Sequence, residues 1–308
     1  MWKGLKAFFF FNAVALAVSA GAAPQEVSFS SLDGTTLKAW VFQPTGQAPK
    51  GTVVALHGCG GLYATVGQRK GAIDPPTGFS LTPEGASRFE AARRRLNARH
   101  QAMADLLVAQ GYAAVFPDSL TPRGESELCT QKIYTRKIDQ GERRADALAT
   151  LAWVAAQPWV QAGPQPQRIA LLGWSHGGSA VLAATDAARA DVLAQTVRPA
   201  LAIAFYPGCS AALKSGYRMG APLVLMLGEK DDWTPPGPCI ALGKAVGAEV
   251  NVYPDSHHDF DNPVGQVRLR TDVPNGVHPG RGVHVGPNPV TRDRAYTRLL
   301  ELLLKAFQ

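Results

Sequence analysis

The sequence is poor in several things, and each shortage excludes a class of protein. Its four cysteines include no C-x-x-C pair, so neither a zinc site nor a thioredoxin-type redox centre is suggested. No apolar run reaches the ~20 residues that a membrane-spanning helix needs. No internal repeat or low-complexity linker divides the chain. Charged residues make up only 18%, and no arginine–aromatic stripe accompanies the net charge of +7, which argues against a nucleic-acid partner. With 46% hydrophobic residues, 31 Gly and 23 Pro in 308 positions, disorder, collagen and coiled coil are also excluded. What remains is a globular chain with ample length for a large core.

The N-terminus reads as an export signal. Lys3 and Lys6 form a basic start, Ala7 to Val18 is apolar apart from Asn12, and Ala20-Gly21-Ala22 supplies an A-x-A cleavage site. Residues 1–22 are therefore expected to be removed, which lowers the net charge from +7 to +5. No cysteine adjoins the cleavage site, which argues against a lipoprotein. The expected product is residues 23–308, periplasmic or secreted, with no stable membrane insertion. In an oxidising compartment Cys59, Cys129, Cys209 and Cys239 are readable as two disulfides, and four cysteines allow three connectivities.

Short apolar, β-rich runs alternate with helical stretches. Strands are predicted at Leu37–Phe42, Thr52–Leu56, Ala113–Phe116, Ile169–Leu172, Leu201–Phe205, Leu223–Leu227 and Glu249–Tyr253. Helices are predicted at Leu96–Gln110, Arg143–Ala156, Ala180–Ala190 and Thr291–Phe307. Thr52–Leu56 is almost uninterruptedly apolar, as a strand buried on both faces should be. Strict alternation implies βαβ units and a mostly parallel sheet with helices on both faces. Residues 62–92 and 262–290 exceed normal loop lengths and read as excursions from one α/β domain.

Gly173-Trp174-Ser175-His176-Gly177 matches G-x-S-x-G. The motif alone is weak, but it follows a buried strand and opens an alanine-rich helix, the strand–turn–helix setting of a nucleophile elbow. A serine hydroxyl needs a base to take its proton and an acid to orient that base, here in the chain order serine, acid, histidine. The loop after Leu223–Leu227 carries Glu229, Asp231 and Asp232. The loop after Glu249–Tyr253 carries His257 and His258. Both leave the C-terminal ends of strands, where sites of open α/β sheets assemble. Asp231 is the preferred acid over Asp232 and Glu229, and His258 the preferred base over His257. An Asp-Asp pair is otherwise a solvated turn or helix cap. Adjacent His257-His258-Asp259 residues rarely converge on one ion, so no metal is expected, and no cofactor is called for. The oxyanion would take the His176 N–H, at a helix N-terminus, and a second donor from His57-Gly58-Cys59-Gly60-Gly61, with Cys59 ahead of Gly60. Trp174, beside the serine, is a candidate substrate contact.

Together His57 to Gly61, Asp118 to Gly124, Gly173 to Gly178, Gly228 to Pro235 and His257 to Phe260 resemble the dienelactone hydrolase family of α/β hydrolases, over roughly residues 25–305. The resemblance implies an eight-stranded α/β-hydrolase sheet and a small-molecule ester or lactone substrate. Position 175 holds serine where the namesake enzyme has cysteine, which favours a serine esterase over a dienelactone specialist. Arg123 loosely matches a substrate-carboxylate arginine of the family, the alternative being a structural ion pair. In such a sheet strands three and four are neighbours, as are six and seven, which favours pairing Cys59 with Cys129 and Cys209 with Cys239. Arg93-Arg94-Arg95 with Arg99 reads as a solvated helix face, while Arg268, Arg270 and Arg281 are candidates to meet an anionic substrate. The reading is an exported serine hydrolase, with a peptidase or amidase of the same fold as runner-up. A catalytically silent binding protein on this scaffold is the alternative outside enzymes. Oligomeric state stays open.

Overall fold

The structure, a computed structural model, describes residues 22–64, 95–161 and 168–308. Nearly all of the expected export segment and of the 62–92 excursion lies outside the described residues. Eight strands form one sheet: β1 (Gln25–Ser30), β2 (Thr36–Phe42), β3 (Thr52–Leu56), β4 (Ala113–Asp118), β5 (Ile169–Trp174), β6 (Leu201–Phe205), β7 (Leu223–Gly228) and β8 (Glu249–Tyr253). Their order across the sheet is β1-β2-β4-β3-β5-β6-β7-β8. The pairings from β4 through β8 are parallel, and β2 is antiparallel to both its neighbours. This is the α/β-hydrolase fold. β1 is the strand that the sequence pattern does not show.

Side-chain alternation divides the core between the two faces of the sheet. Along β3, Val53 and Ala55 pack with Met103 and Leu107 of α1 (Ala98–Ala109) and with Leu299 and Leu303 of α6 (Pro289–Ala306). Val54 and Leu56 pack on the other face, with Leu148 and Leu151 of α2 (Gln140–Ala155), Val181 of α3 (His176–Ala184) and Leu242 of α5 (Pro236–Val246). Each fully buried Val or Leu contributes roughly 1.5–3 kcal/mol, so the central strands hold the sheet rigid beneath the site. Helix starts are set locally. Asn97 accepts the His100 N–H at 3.1 Å, and Asp139 and Glu142 form a capping box on α2.

The helix after the serine motif runs over His176–Ala184 instead of Ala180–Ala190. Thr185 ends it, its Oγ1 turning back to the Val181 carbonyl at 2.8 Å and pairing with the Tyr217 hydroxyl. A short helix, α4 (Ser210–Ser215), follows β6. Residues 262–290 include a small hairpin, β9 (Arg268–Arg270) with β10 (Val283–Val285). The excursion folds back over the site: Gly286 N–H donates to the His258 carbonyl and Val277 N–H to the Asp232 carbonyl, both at 2.9 Å.

Candidate active site

Ser175 sits between β5 and α3 with φ 53° and ψ −115°, a backbone conformation L residues rarely adopt. The turn is possible because glycine flanks it. A Cβ on Gly173 would strike the Gly177 carbonyl, and one on Gly177 would strike the Leu56 carbonyl of β3. The strained residue is held by its N–H to the Phe205 carbonyl at 2.9 Å and by Ser179 N–H to its own carbonyl at 2.8 Å. Such strain persists only where the surroundings over-determine it.

His258 Nε2 lies 2.9 Å from Ser175 Oγ, and its Nδ1 lies 2.8 Å from Asp231 Oδ2. The Asp231 carboxylate is fixed by its own loop. Oδ1 accepts the N–H groups of Trp233 and Thr234, each at 2.9 Å, and Oδ2 lies 3.0 Å from Thr234 Oγ1. The imidazole is clamped between the Tyr206 and Trp233 rings, with centroids at 4.5 and 4.7 Å. Burial disfavours imidazolium, but the charge and hydrogen bond of Asp231, assisted by Asp259, outweigh it and raise the His258 pKa above its ordinary value. The alternatives are engaged elsewhere. His257 Nδ1 meets the Lys230 carbonyl at 3.0 Å, Asp232 pairs with His284 Nδ1 at 2.7 Å, and Glu229 accepts the Asp255 N–H.

A buried polar network braces this half of the site. Asp261, wholly buried, accepts from Trp174 Nε1 at 2.7 Å and from the Tyr206 hydroxyl at 2.5 Å. Arg99 lies beside it, 3.2 Å from Asp261 and 2.6 Å from Asp259. Arg99 is therefore a buried counter-ion, not part of a solvated helix face, while Arg93 and Arg94 lie outside the described residues. Trp174 is likewise 0% exposed and packs against His100 and Phe205. Its place at the end of β5 turns it into the core, so it is not a substrate contact.

The opposite half is built on the β3 loop. His57 is buried and neutral, burial and the Arg143 charge holding its pKa well below the usual value. Its Nδ1 pairs with the Gly58 carbonyl at 2.8 Å, and its Nε2 accepts the Ser119 N–H at 3.2 Å. Arg143, 1% exposed, donates to the His57 carbonyl at 2.6 Å, and burial brings its pKa down to about 10. Cys59 follows, its carbonyl accepting the Leu128 N–H at 2.7 Å and its sulfur bonded to Cys129. The second disulfide joins Cys209 to Cys239. Among the described residues, neither the Cys59 nor the His176 N–H has a protein acceptor.

Two cavities meet at Ser175, Cys59 and Trp233. The first, about 410 Å³, lies over α3 and α4; the second, about 320 Å³, adjoins His258 and the start of α1. Arg123 lines neither. It pairs with Asp33 at 2.6 Å and Asp146 at 2.8 Å, so it is a structural ion pair. The arginine on the first cavity is Arg136, further along the same loop, with its buried Nε unpartnered among the described residues and its pKa lowered by burial. Arg270 lines the second cavity, 5.3 Å over the Trp233 ring and paired with Asp272, whereas Arg268 and Arg281 are exposed. Among the described residues no cluster of three His, Cys, Asp or Glu side chains could hold a metal ion, and no helix is long and apolar enough to cross a membrane.

A model of the dienelactone hydrolase family matches residues 94–305. The structure is similar to a putative dienelactone hydrolase of Klebsiella pneumoniae at 15% identity and TM-score 0.56, covering 92% of this chain and 99% of that one. It is similar to a dienelactone hydrolase-like promiscuous phosphotriesterase from metagenomic libraries at 17% identity and TM-score 0.58, over 93% and 99% of the two chains. An acetyl xylan esterase from Paenibacillus sp. R4 aligns at 16% identity and TM-score 0.52, over 95% and 86%. No curated protein matches the sequence.

Proposed function

The chain belongs to the dienelactone hydrolase family, and we propose that it is an exported serine hydrolase cleaving carboxylic esters or lactones through an acyl-enzyme on Ser175. The observation that carries this reading is the unbroken line from Ser175 Oγ through His258 to Asp231, at 2.9 and 2.8 Å, on a serine with φ 53°. In it, Ser175 Oγ attacks the substrate carbonyl while His258 Nε2 takes the hydroxyl proton and Asp231 stabilises the imidazolium. The oxyanion accepts the N–H groups of Cys59 and His176, the latter favoured by the α3 dipole. His258 then delivers its proton to the leaving oxygen. Water, deprotonated by the same imidazole, releases the acid and restores Ser175.

Export is supported by the basic-apolar-A-x-A start and by two disulfides, which persist in oxidising compartments. The test is a panel of p-nitrophenyl esters of rising acyl length with lactones and aminoacyl amides alongside. Ester or lactone turnover well above that of amides is expected, lost in Ser175→Ala. Amides as the preferred substrates would move the reading to a peptidase or amidase, and no turnover of any would leave a silent binding protein.

A further inference from the structure

The two cavities at Ser175 differ in one respect that bears on substrate direction. His258 and Asp259 line the second and not the first. His176 lines the first and not the second. An imidazole that takes the Ser175 proton must hand it to the leaving oxygen from the same Nε2, within about 3 Å. The leaving group therefore departs on the side that His258 lines. The part of the substrate that stays bonded to Ser175 must occupy the other side, next to the α3 N-terminus.

The walls are chemically distinct. On the first cavity, Pro207, Ala211, Pro235 and Pro238 present carbon surface, which outweighs the polar groups of Arg136 and Gln140 that also line it. On the second, Asn97, Arg99, Asp259, Asn262 and Arg270 present amide, guanidinium and carboxylate groups. His100 also lines it, with Nδ1 on the Leu62 carbonyl at 3.0 Å and Nε2 without a partner among the described residues. Trp233, its ring tilted against His258 at 4.7 Å, lines both cavities where they meet.

Resting on the hydrolase reading, we infer that substrates bind in one direction. The acyl group lies in the 410 Å³ cavity over α3 and α4, and a polar, hydroxyl-bearing alcohol lies in the 320 Å³ cavity beside His258. The preferred substrate class is then an ester joining a compact apolar acid to a polyhydroxylated alcohol. The Trp233 ring separates the two parts. The acyl cavity sets chain-length preference in both half-reactions, whereas the alcohol cavity discriminates between alcohols in acylation alone, since after the alcohol has left it holds only the water that His258 activates.

The test is a matrix of acetyl, butyryl and hexanoyl esters of methanol and of glycerol, with acylation and deacylation resolved by stopped flow. Ala211→Trp intrudes on the first cavity from an exposed position of α4; Val264→Trp does so on the second from an exposed loop. With Ala211→Trp, the hexanoyl-to-acetyl ratio of kcat/KM should fall at least tenfold and deacylation of the hexanoyl enzyme should change. The glyceryl-to-methyl ratio should move less than twofold. With Val264→Trp, the glyceryl-to-methyl ratio should fall about tenfold while the hexanoyl-to-acetyl ratio of deacylation rates stays as in wild type. A crossed result, in which Val264→Trp changes acyl-chain preference in either half-reaction, overturns the direction while leaving the hydrolase reading intact. A wild-type enzyme that prefers methyl over glyceryl esters overturns the alcohol class. Failure of wild type to form any acyl-enzyme overturns the hydrolase reading, and this inference with it.

Discussion

The proposed active site has two halves, one for the base and one for the oxyanion, and they are held in place by different physics. The base half, on the loops after β7 and β8, is positioned by charge and aromatic contact. Asp231 is fixed by two backbone N–H groups, His258 is clamped between two rings, and Asp261 with Arg99 braces the assembly from beneath. The oxyanion half, on the β3 loop, is positioned by covalent and steric means. The Cys59–Cys129 disulfide ties it to the segment beyond β4, Arg143 holds the His57 carbonyl, and glycines permit close approach to α3. The division follows from the task. A base must change its charge during turnover, so its surroundings have to answer in charge, whereas backbone donors need only stay where the oxyanion forms.

The largest effect should come from breaking the base half at its centre. Ser175→Ala and His258→Ala should each lower kcat on the order of 10³-fold or more with the fold retained, read by steady-state kinetics and calorimetry. Asp231→Asn should follow, with about 10²- to 10⁴-fold loss in kcat. Because Asp231 raises the His258 pKa, and the base works only when neutral, the acid limb of kcat/KM should lie above the ordinary histidine value of about 6.5. It should move to lower pH in Asp231→Asn. Asp232→Asn and His257→Ala should change kcat less than threefold, since those side chains meet His284 and the Lys230 carbonyl. The reverse order in either pair would move the acid or the base by one residue.

The oxyanion half should answer differently, in stability as well as rate. Replacing Cys59 and Cys129 together by alanine removes a cross-link across 70 residues, about 4 kcal/mol in the chain-entropy model, and frees the Cys59 N–H. Losses in both kcat and unfolding free energy are expected. The same change at Cys209 and Cys239, separated by 30 residues, should cost slightly less stability and much less rate, since that bridge joins the start of α4 to α5 and does not hold the β3 loop. Equal effects on rate would erase the contrast between the halves.

Smaller still is the contrast between two arginines of one loop. Arg123→Ala strips the partner from Asp146, which is 0% exposed, and should cost about 3 kcal/mol of stability with KM unaffected. Arg136→Ala should leave unfolding nearly unchanged and alter KM. Denaturant titration beside initial-rate kinetics separates the two.

Those arginines also mark how far the sequence can be read. Ser175, Asp231 and His258 were legible because each sits on a short segment whose strand, turn and order are local. The sheet was legible where strands are buried on both faces, but β1, with alternating polar residues at the edge, and the three-residue β9 and β10 carry too little apolar signal. Trp174 shows the limit at one residue: the motif places it beside the nucleophile, but only the pleat of β5 decides that it points into the core. Arg99 and Arg123 show the limit at long range. Their partners, Asp261 and Asp33, are distant in sequence, and nothing local to either arginine distinguishes a buried ion pair from a solvated charge or a substrate anchor.

The central claim, that Ser175 is a nucleophile activated by His258, is tested most directly by fluorophosphonate labelling followed by intact-mass and peptide analysis. One adduct per chain is expected, mapped to Ser175, with its rate rising through the pKa of His258 and abolished in Ser175→Ala. A chain that stays unlabelled when folded, or that carries the label on another residue, would contradict the account.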